Sequence, residues 1–165
     1  MRNEETITYQ AGEQVTGQDV NTMLAGARVV LKGQQAPSIR ISNHRELSDY
    51  CLKLIGDSAY EEMRLICVNT QCQVVSEVAI GSGDLTSVSA PIAKIATAAL
   101  LSTAHCVFLT HNHPGGTCSP SMEDIKTTAL IQKALKMFEI QVLDHMIVTP
   151  NGESYSMRAH GDISY

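Results

Sequence analysis

Two histidines, His111 and His113, stand one residue apart, and Ser121 and Asp124 follow within the next eleven positions. Residues i and i+2 of an extended chain face the same way, so both imidazoles can address one ion. Asp124 can join them if the Pro114-Gly115-Gly116 loop folds the next helical turn back. Two neutral imidazoles and one carboxylate leave a divalent ion one net positive charge and an open fourth position for water. That is the pattern of a catalytic zinc site, not of a closed structural one. Bound Zn2+ would lower the pKa of its water from about 15.7 to about 7. Ser121 can offer its hydroxyl to a developing oxyanion. Glu61 or Glu62, at the head of an apolar run, can supply the general base. A lone His-x-His is a weak signal, and a Ser and an Asp at a helix start also read as plain caps.

The elements that must position these residues are legible in outline. From Glu61 to Asn69 and from Gln73 to Ile80 the chain is rich in Val, Ile, Leu and Cys, with a short polar turn between; this predicts a β-hairpin, closed near Gly81-Ser-Gly83-Asp. Cys106 to Thr110 reads as a buried strand that delivers His111 at its end. Ser119-Pro120 reads as an N-cap followed by Pro at the first helical position, opening a helix to about Phe138. A strand from Gln141 to Val148 follows, then a turn at Pro150-Asn-Gly152 and a last short strand near Ser154–Met157. Earlier, Asn43 with Glu46 predicts a capped helix carrying Leu47, Cys51 and Leu54 on one face and ending near Gly56. Ser89 with Pro91 predicts a largely apolar helix from Ala90 to His105, with His105 at its C-terminus. Residues 1–18 read as a loose arm, and Asp19 to Lys32 as a helix broken by Gly33 to Pro37.

Bulk composition narrows the class. A chain of 165 residues with 44% apolar residues suits one globular domain. The net charge of −5 argues against a surface built to grip nucleic-acid phosphates. Five cysteines, none in Cys-x-x-Cys, do not read as a disulfide framework or a zinc finger; Cys67 and Cys106 read as small core residues. No signal peptide and no apolar run of membrane-spanning length are visible, so a cytoplasmic protein with no membrane partner is expected.

Together these residues resemble the JAMM/MPN-type zinc metalloproteases, whose motif is His-x-His, ten residues, Asp, with Ser three before the Asp. The context resembles their bacterial RadC branch. The matching segments are His111-Asn-His-Pro-Gly-Gly116, Pro120-Ser-Met-Glu-Asp124 and Leu143-Asp-His-Met-Ile-Val148, within a resemblance running from about Glu61 to the C-terminus. The resemblance implies zinc held by His111, His113 and Asp124, with Ser121 near the oxyanion. Its catalytic glutamate lies eight residues before the Asp or Asn that ends the first strand; counting back from Asn69 gives Glu61, with Glu62 on the other face. It also implies an α/β fold, a single mixed sheet flanked by helices as in cytidine deaminases. The division expected is an N-terminal arm and helices over residues 1–58 and the JAMM/MPN domain over 59–165.

The chain departs from the pattern in places. Gly115 stands where the family carries serine, which loosens the loop, and Ser89-Ala-Pro91-Ile replaces His-Pro-Arg-Glu. Cys118 beside the site is an ordinary loop thiol or a fourth ligand that would close the metal's open position. Asp144 and His145 match the family, but on a strand only one of the two can face the site. Residues 1–58 show no Gly-x-Gly hairpin of the kind that contacts DNA in full-length RadC-like proteins; the short form resembles RadC-like proteins of mobile elements. The leading expectation is hydrolysis of a peptide or isopeptide bond in a protein or peptide substrate. A nucleic-acid enzyme is disfavoured by the charge and by the absence of His-x-Glu with Pro-Cys-x-x-Cys. A non-catalytic module in a DNA-processing complex is the third reading, and Glu61→Gln separates it from the first.

Overall fold

A computed structural model describes residues 39–82 and 92–164. The readings of an arm, of the Asp19–Lys32 helix, of its break at Gly33 to Pro37 and of the Ser89-Pro91 helix start lie outside those residues. Within them the order is α1 (His44–Ile55), β1 (Glu62–Val68), β2 (Val74–Ser82), α2 (Ile92–Leu101), β3 (Cys106–Asn112), α3 (Met122–Lys136), β4 (Gln141–Val148) and β5 (Ser154–Ser156).

The five strands form one mixed sheet in the order β2-β1-β3-β4-β5. Its β3–β4 pair is parallel and joined through α3, while β1–β2, β1–β3 and β4–β5 are antiparallel. Helices cover both faces. On one, Ile95, Ala98 and Ala99 of α2 and Ile131 and Leu135 of α3 pack on Met63, Leu65, Cys67, Val107, Leu109 and Val142. On the other, Leu47, Cys51 and Ile55 of α1 pack on Ile66, Val68, Cys106, Phe108, Met146 and Val148. Each fully buried Leu or Ile stabilises the fold by about 1.5–3 kcal/mol. The expected α/β fold with a single mixed sheet flanked by helices is what the chain forms.

Alternation along β3 decides where the chemistry goes. Val107 and Leu109 face α2 and α3, Cys106 and Phe108 face α1, and His111 and Asn112 continue the two series. In β4 the alternation breaks once. Val107 pairs with Val142 but Phe108 pairs with Asp144, so Leu143 is an extra residue in the ladder. Leu143 and Met146 both pack on the α1 side. The bulge therefore turns His145 toward α3 and Asp144 toward the α1 side.

Two boundaries and one buried face differ from the sequence expectation. The N-cap of α3 is Ser121, not Ser119, and Pro120 precedes the cap. Helix α1 buries Ile55 and leaves Leu54 half-buried, since the covered stripe runs 47, 51, 55. Helix α2 ends at Leu101, because Thr103 takes a left-handed φ of 50° and the Ala104 N–H reaches back to the Ala99 carbonyl at 3.0 Å. His105 is thus beyond the helix end; its N–H donates to the Val68 carbonyl at 2.9 Å and opens the pairing of β3 with β1.

Candidate metal centre

The end of β3 and the start of α3 meet beneath the loop that joins them. His111 is fully buried, and its Nε2 lies 2.8 Å from Nε2 of His113. Asp124, in the first turn of α3, places Oδ1 3.2 Å from His111 Nε2 and Oδ2 3.6 Å from His113 Nε2. The three expected ligands therefore converge. A tetrahedral zinc shell with ligands at about 2.0–2.2 Å has donor–donor edges of roughly 3.3–3.6 Å. The observed separations of 2.8, 3.2 and 3.6 Å lie close to those edges, and two imidazoles with a carboxylate are a donor set such an ion accepts.

Each histidine is oriented through its other nitrogen. His113 Nδ1 is 2.7 Å from the Thr117 carbonyl, an acceptor only, so Nδ1 carries the proton and Nε2 presents a lone pair. His111 Nδ1 is 2.7 Å from His145 Nε2, and His145 Nδ1 is 2.6 Å from the Thr128 hydroxyl. Burial holds the His145 pKa well below the ordinary imidazole value, with the charge of His111 adding to the effect, so its ring is neutral. Burial works to raise the Asp124 carboxyl. Its hydrogen bonds with His111 and His113, the charge of His111 and the Ser121 hydroxyl outweigh burial and hold it well below the usual carboxylate range. The hydrogen bond to Asp124 raises the His113 pKa against the opposing effect of burial.

Ser121 and Asp124 close a capping box. The Ser121 hydroxyl donates to Asp124 Oδ2 at 2.6 Å, the Ser121 N–H donates to the same oxygen at 2.7 Å, and the Asp124 N–H donates to Ser121 Oγ at 3.1 Å. The capping and the ligand-aiming are one arrangement: the bonds that start α3 also turn Asp124 toward the histidines.

Glu61 precedes β1 and approaches from the strand side. Glu61, His111 and His113 each offer a ligand atom within 4.8 Å of the other two. Glu62 instead pairs with Arg64 at 3.3 Å, which separates the two glutamates. Among the described residues this group contains no cysteine, and Cys118 is half-buried in the loop.

Two contributors escaped the sequence reading. Asn112, between the two histidines, points to the opposite side of β3. Its Oδ1 accepts from the Glu62 N–H at 2.9 Å, and its Nδ2 donates to the carbonyls of Ser58 and Tyr60, both at 3.1 Å. It thus ties down the segment on both sides of Glu61. Thr128 is the other; its spacing of four from Asp124, one helical turn, was the available signal. Asp144 serves the far side of the sheet, where its carboxylate accepts from Ser156 Oγ at 2.5 Å, from the His145 N–H at 2.7 Å and from the Arg158 N–H at 3.0 Å. Among the described residues no helix is long and apolar enough to cross a membrane.

Residues 41–162 match the RadC-like JAB domain. A UPF0758 protein of Symbiobacterium thermophilum is 31% identical over 144 residues, covering 86% of this chain and 61% of the relative. A UPF0758 protein of Chlorobaculum tepidum is 31% identical over 123 residues, 74% of this chain and 55% of the relative. One from Variovorax paradoxus is 36% identical over 107 residues, 65% of this chain and 47% of the relative. The chain therefore spans between about half and three-fifths of the length of these curated relatives.

Proposed function

This chain belongs to the RadC-like JAB domain family, and from that membership and the geometry of the site we propose that it is a zinc-dependent hydrolase of peptide or isopeptide bonds. The observation that carries the reading is the convergence of His111 Nε2, His113 Nε2 and Asp124 within 2.8–3.6 Å, with Glu61 beside the two histidines. His111, His113 and Asp124 would hold the ion. When bound, Zn2+ would acidify a water and polarise the substrate carbonyl.

The chain's own residues divide the remaining work. Glu61 takes the proton from the attacking water and hands it to the leaving amine, so it must be ionised at the start and neutral midway. Asn112 keeps Glu61 in reach by tying the strand on either side of it. The Thr117 carbonyl holds His113 with its lone pair inward. Ser121 aims Asp124; to serve an oxyanion as well, its hydroxyl has to leave Asp124 Oδ2, a bond of 2.6 Å. The substrate is a protein or peptide.

Metal analysis of the purified chain tests the ligand set. About one zinc per chain is expected, lost in His113→Ala. A protein that cannot be loaded with zinc sinks the proposal. A peptide-library digest read by mass spectrometry tests the chemistry; Glu61→Gln is expected to keep the zinc and lower turnover by about 10²–10⁴-fold. A Glu61→Gln protein with parental turnover removes Glu61 from its role.

A further inference from the structure

We propose that Thr128 and His145 form a hydrogen-bonded relay that holds His111 in the tautomer with its proton on Nδ1 and its Nε2 lone pair free for a metal. The inference rests on the metal reading above and assigns two positioning residues to it; neither offers an atom to the metal.

The relay has three links. His111 Nδ1 meets His145 Nε2 at 2.7 Å, His145 Nδ1 meets Thr128 Oγ1 at 2.6 Å, and the Thr128 hydroxyl meets the Asp124 backbone carbonyl at 2.6 Å. A neutral imidazole has one N–H and one lone pair, and a hydroxyl has one proton to give. Only two proton orders then fit. In the first, Thr128 donates to the Asp124 carbonyl, His145 donates Nδ1–H to Thr128, and His111 donates Nδ1–H to His145. His111 Nε2 is then bare. In the second, every proton moves one place: Thr128 donates to His145, His145 donates Nε2–H to His111, and His111 carries its proton on Nε2. That proton points at His113 and Asp124, into the space the ion would take.

Thr128 decides between them. A backbone carbonyl accepts and never donates, so the Asp124 carbonyl at 2.6 Å rewards the first order and gains nothing from the second. Met157 Sδ, 3.7 Å from the hydroxyl, is a weak acceptor and does not compete. Thr128, His145 and His111 are each fully buried, so water does not replace a missing link. The carbonyl at the far end belongs to Asp124, whose side chain faces the same histidine. One turn of α3 therefore both presents a ligand and sets the tautomer of another. The bulge at Leu143 is what brings His145 to this face.

The test uses the intact chain. Histidine-labelled protein, read by two-bond ¹⁵N–¹H correlation spectra with zinc bound, should show His111 and His145 both protonated on Nδ1. A His145 protonated on Nε2 overturns the relay. In parallel, zinc affinity is measured by chelator competition. Thr128→Val keeps the shape but removes the hydroxyl, and is expected to weaken zinc binding by about 10- to 100-fold. Thr128→Ser restores the hydroxyl and should bind as the parent does. A parent that takes up no zinc overturns the metal reading and the relay with it. A parent that binds zinc alongside a Thr128→Val protein that binds it equally overturns the relay alone.

Discussion

Asn112 spends its whole side chain on three backbone groups flanking Glu61, all within 3.1 Å. Removing it takes a side-chain partner from three backbone groups of half-buried or exposed residues, each bond worth about 0.5–1.5 kcal/mol. Asn112→Ala should lower the thermal midpoint and cut turnover by letting Glu61 drift, with zinc affinity close to parental; a full loss of zinc would contradict this division of labour. Asn112→Asp should be worse, because it sets a carboxylate against two carbonyl oxygens. His113 carries a pH signature. Its folded-state pKa is raised, chiefly by the hydrogen bond to Asp124. The stability this gives the metal-free protein is fully present below the unfolded-state pKa of about 6.5 and lost as pH rises through the higher folded value. Zinc requires the ring without that proton. Zinc affinity should therefore climb with pH across the same window and level off above it. Calorimetry in two buffers of different ionisation enthalpy should register proton release within the window, and an affinity independent of pH there would refute the assignment.

The loop between β3 and α3 joins two rigid elements, and its two glycines are not equivalent. A Cβ at Gly115 meets nothing within 4 Å, whereas Gly116 has a φ of +84° and a Cβ there would sit 3.0 Å from Asn151 Nδ2. Gly115→Ser should stabilise the protein by about 0.4–1 kcal/mol through the unfolded chain, and Gly116→Ala should destabilise it by more than that. Thermal unfolding of the two variants checks both signs. Element types were legible because periodicity carries them: the hairpin, β3, β4 and α3 lie where the apolar pattern put them. The ends were less so. Ser119-Pro120 and Ser121-x-x-Asp124 both read as helix starts, and the reciprocal bonds between Ser121 and Asp124 place the cap at Ser121. Helix α2 ends on Thr103 in a left-handed conformation, with none of the glycine that would have announced the stop. The convergence of His111, His113 and Asp124 was legible because His-x-His needs only local geometry, while Asn112 and Thr128 act through residues far away in the chain. Nor did Asp144-His145 reveal which of its two side chains faces the site, since one extra residue in β4 sets that choice.

At the scale of the molecule, the site lies where the parallel pair β3–β4 ends and the helix between them begins, the usual place for ligands in α/β sheets. Its parts come from residue 61, from 111 to 128 and from 145, and an ion held by His111, His113 and Asp124 would tie the end of β3 to α3. Free zinc at a hundredfold over its dissociation constant should then add about 2.7 kcal/mol to folding stability. The thermal midpoint should rise with zinc, fall back with a chelator, and stay flat in His113→Ala; a zinc-independent midpoint in the parent would deny the coupling. The Leu143 bulge reaches further than its own contacts. Because the β3–β4 ladder skips Leu143, β4 has one position to spare there, separately from the residue types that fill it. Leu143 should accept replacement by another apolar residue with little loss, and removing that one position should leave Asp144 opposite Phe108 and His145 still facing α3, because the alternation then runs unbroken from Val142 to Asp144. A mutational scan that includes single-residue deletions should find Leu143 open to both exchange and removal, and a deletion there that displaces His145 from Thr128 would contradict this reading of the bulge.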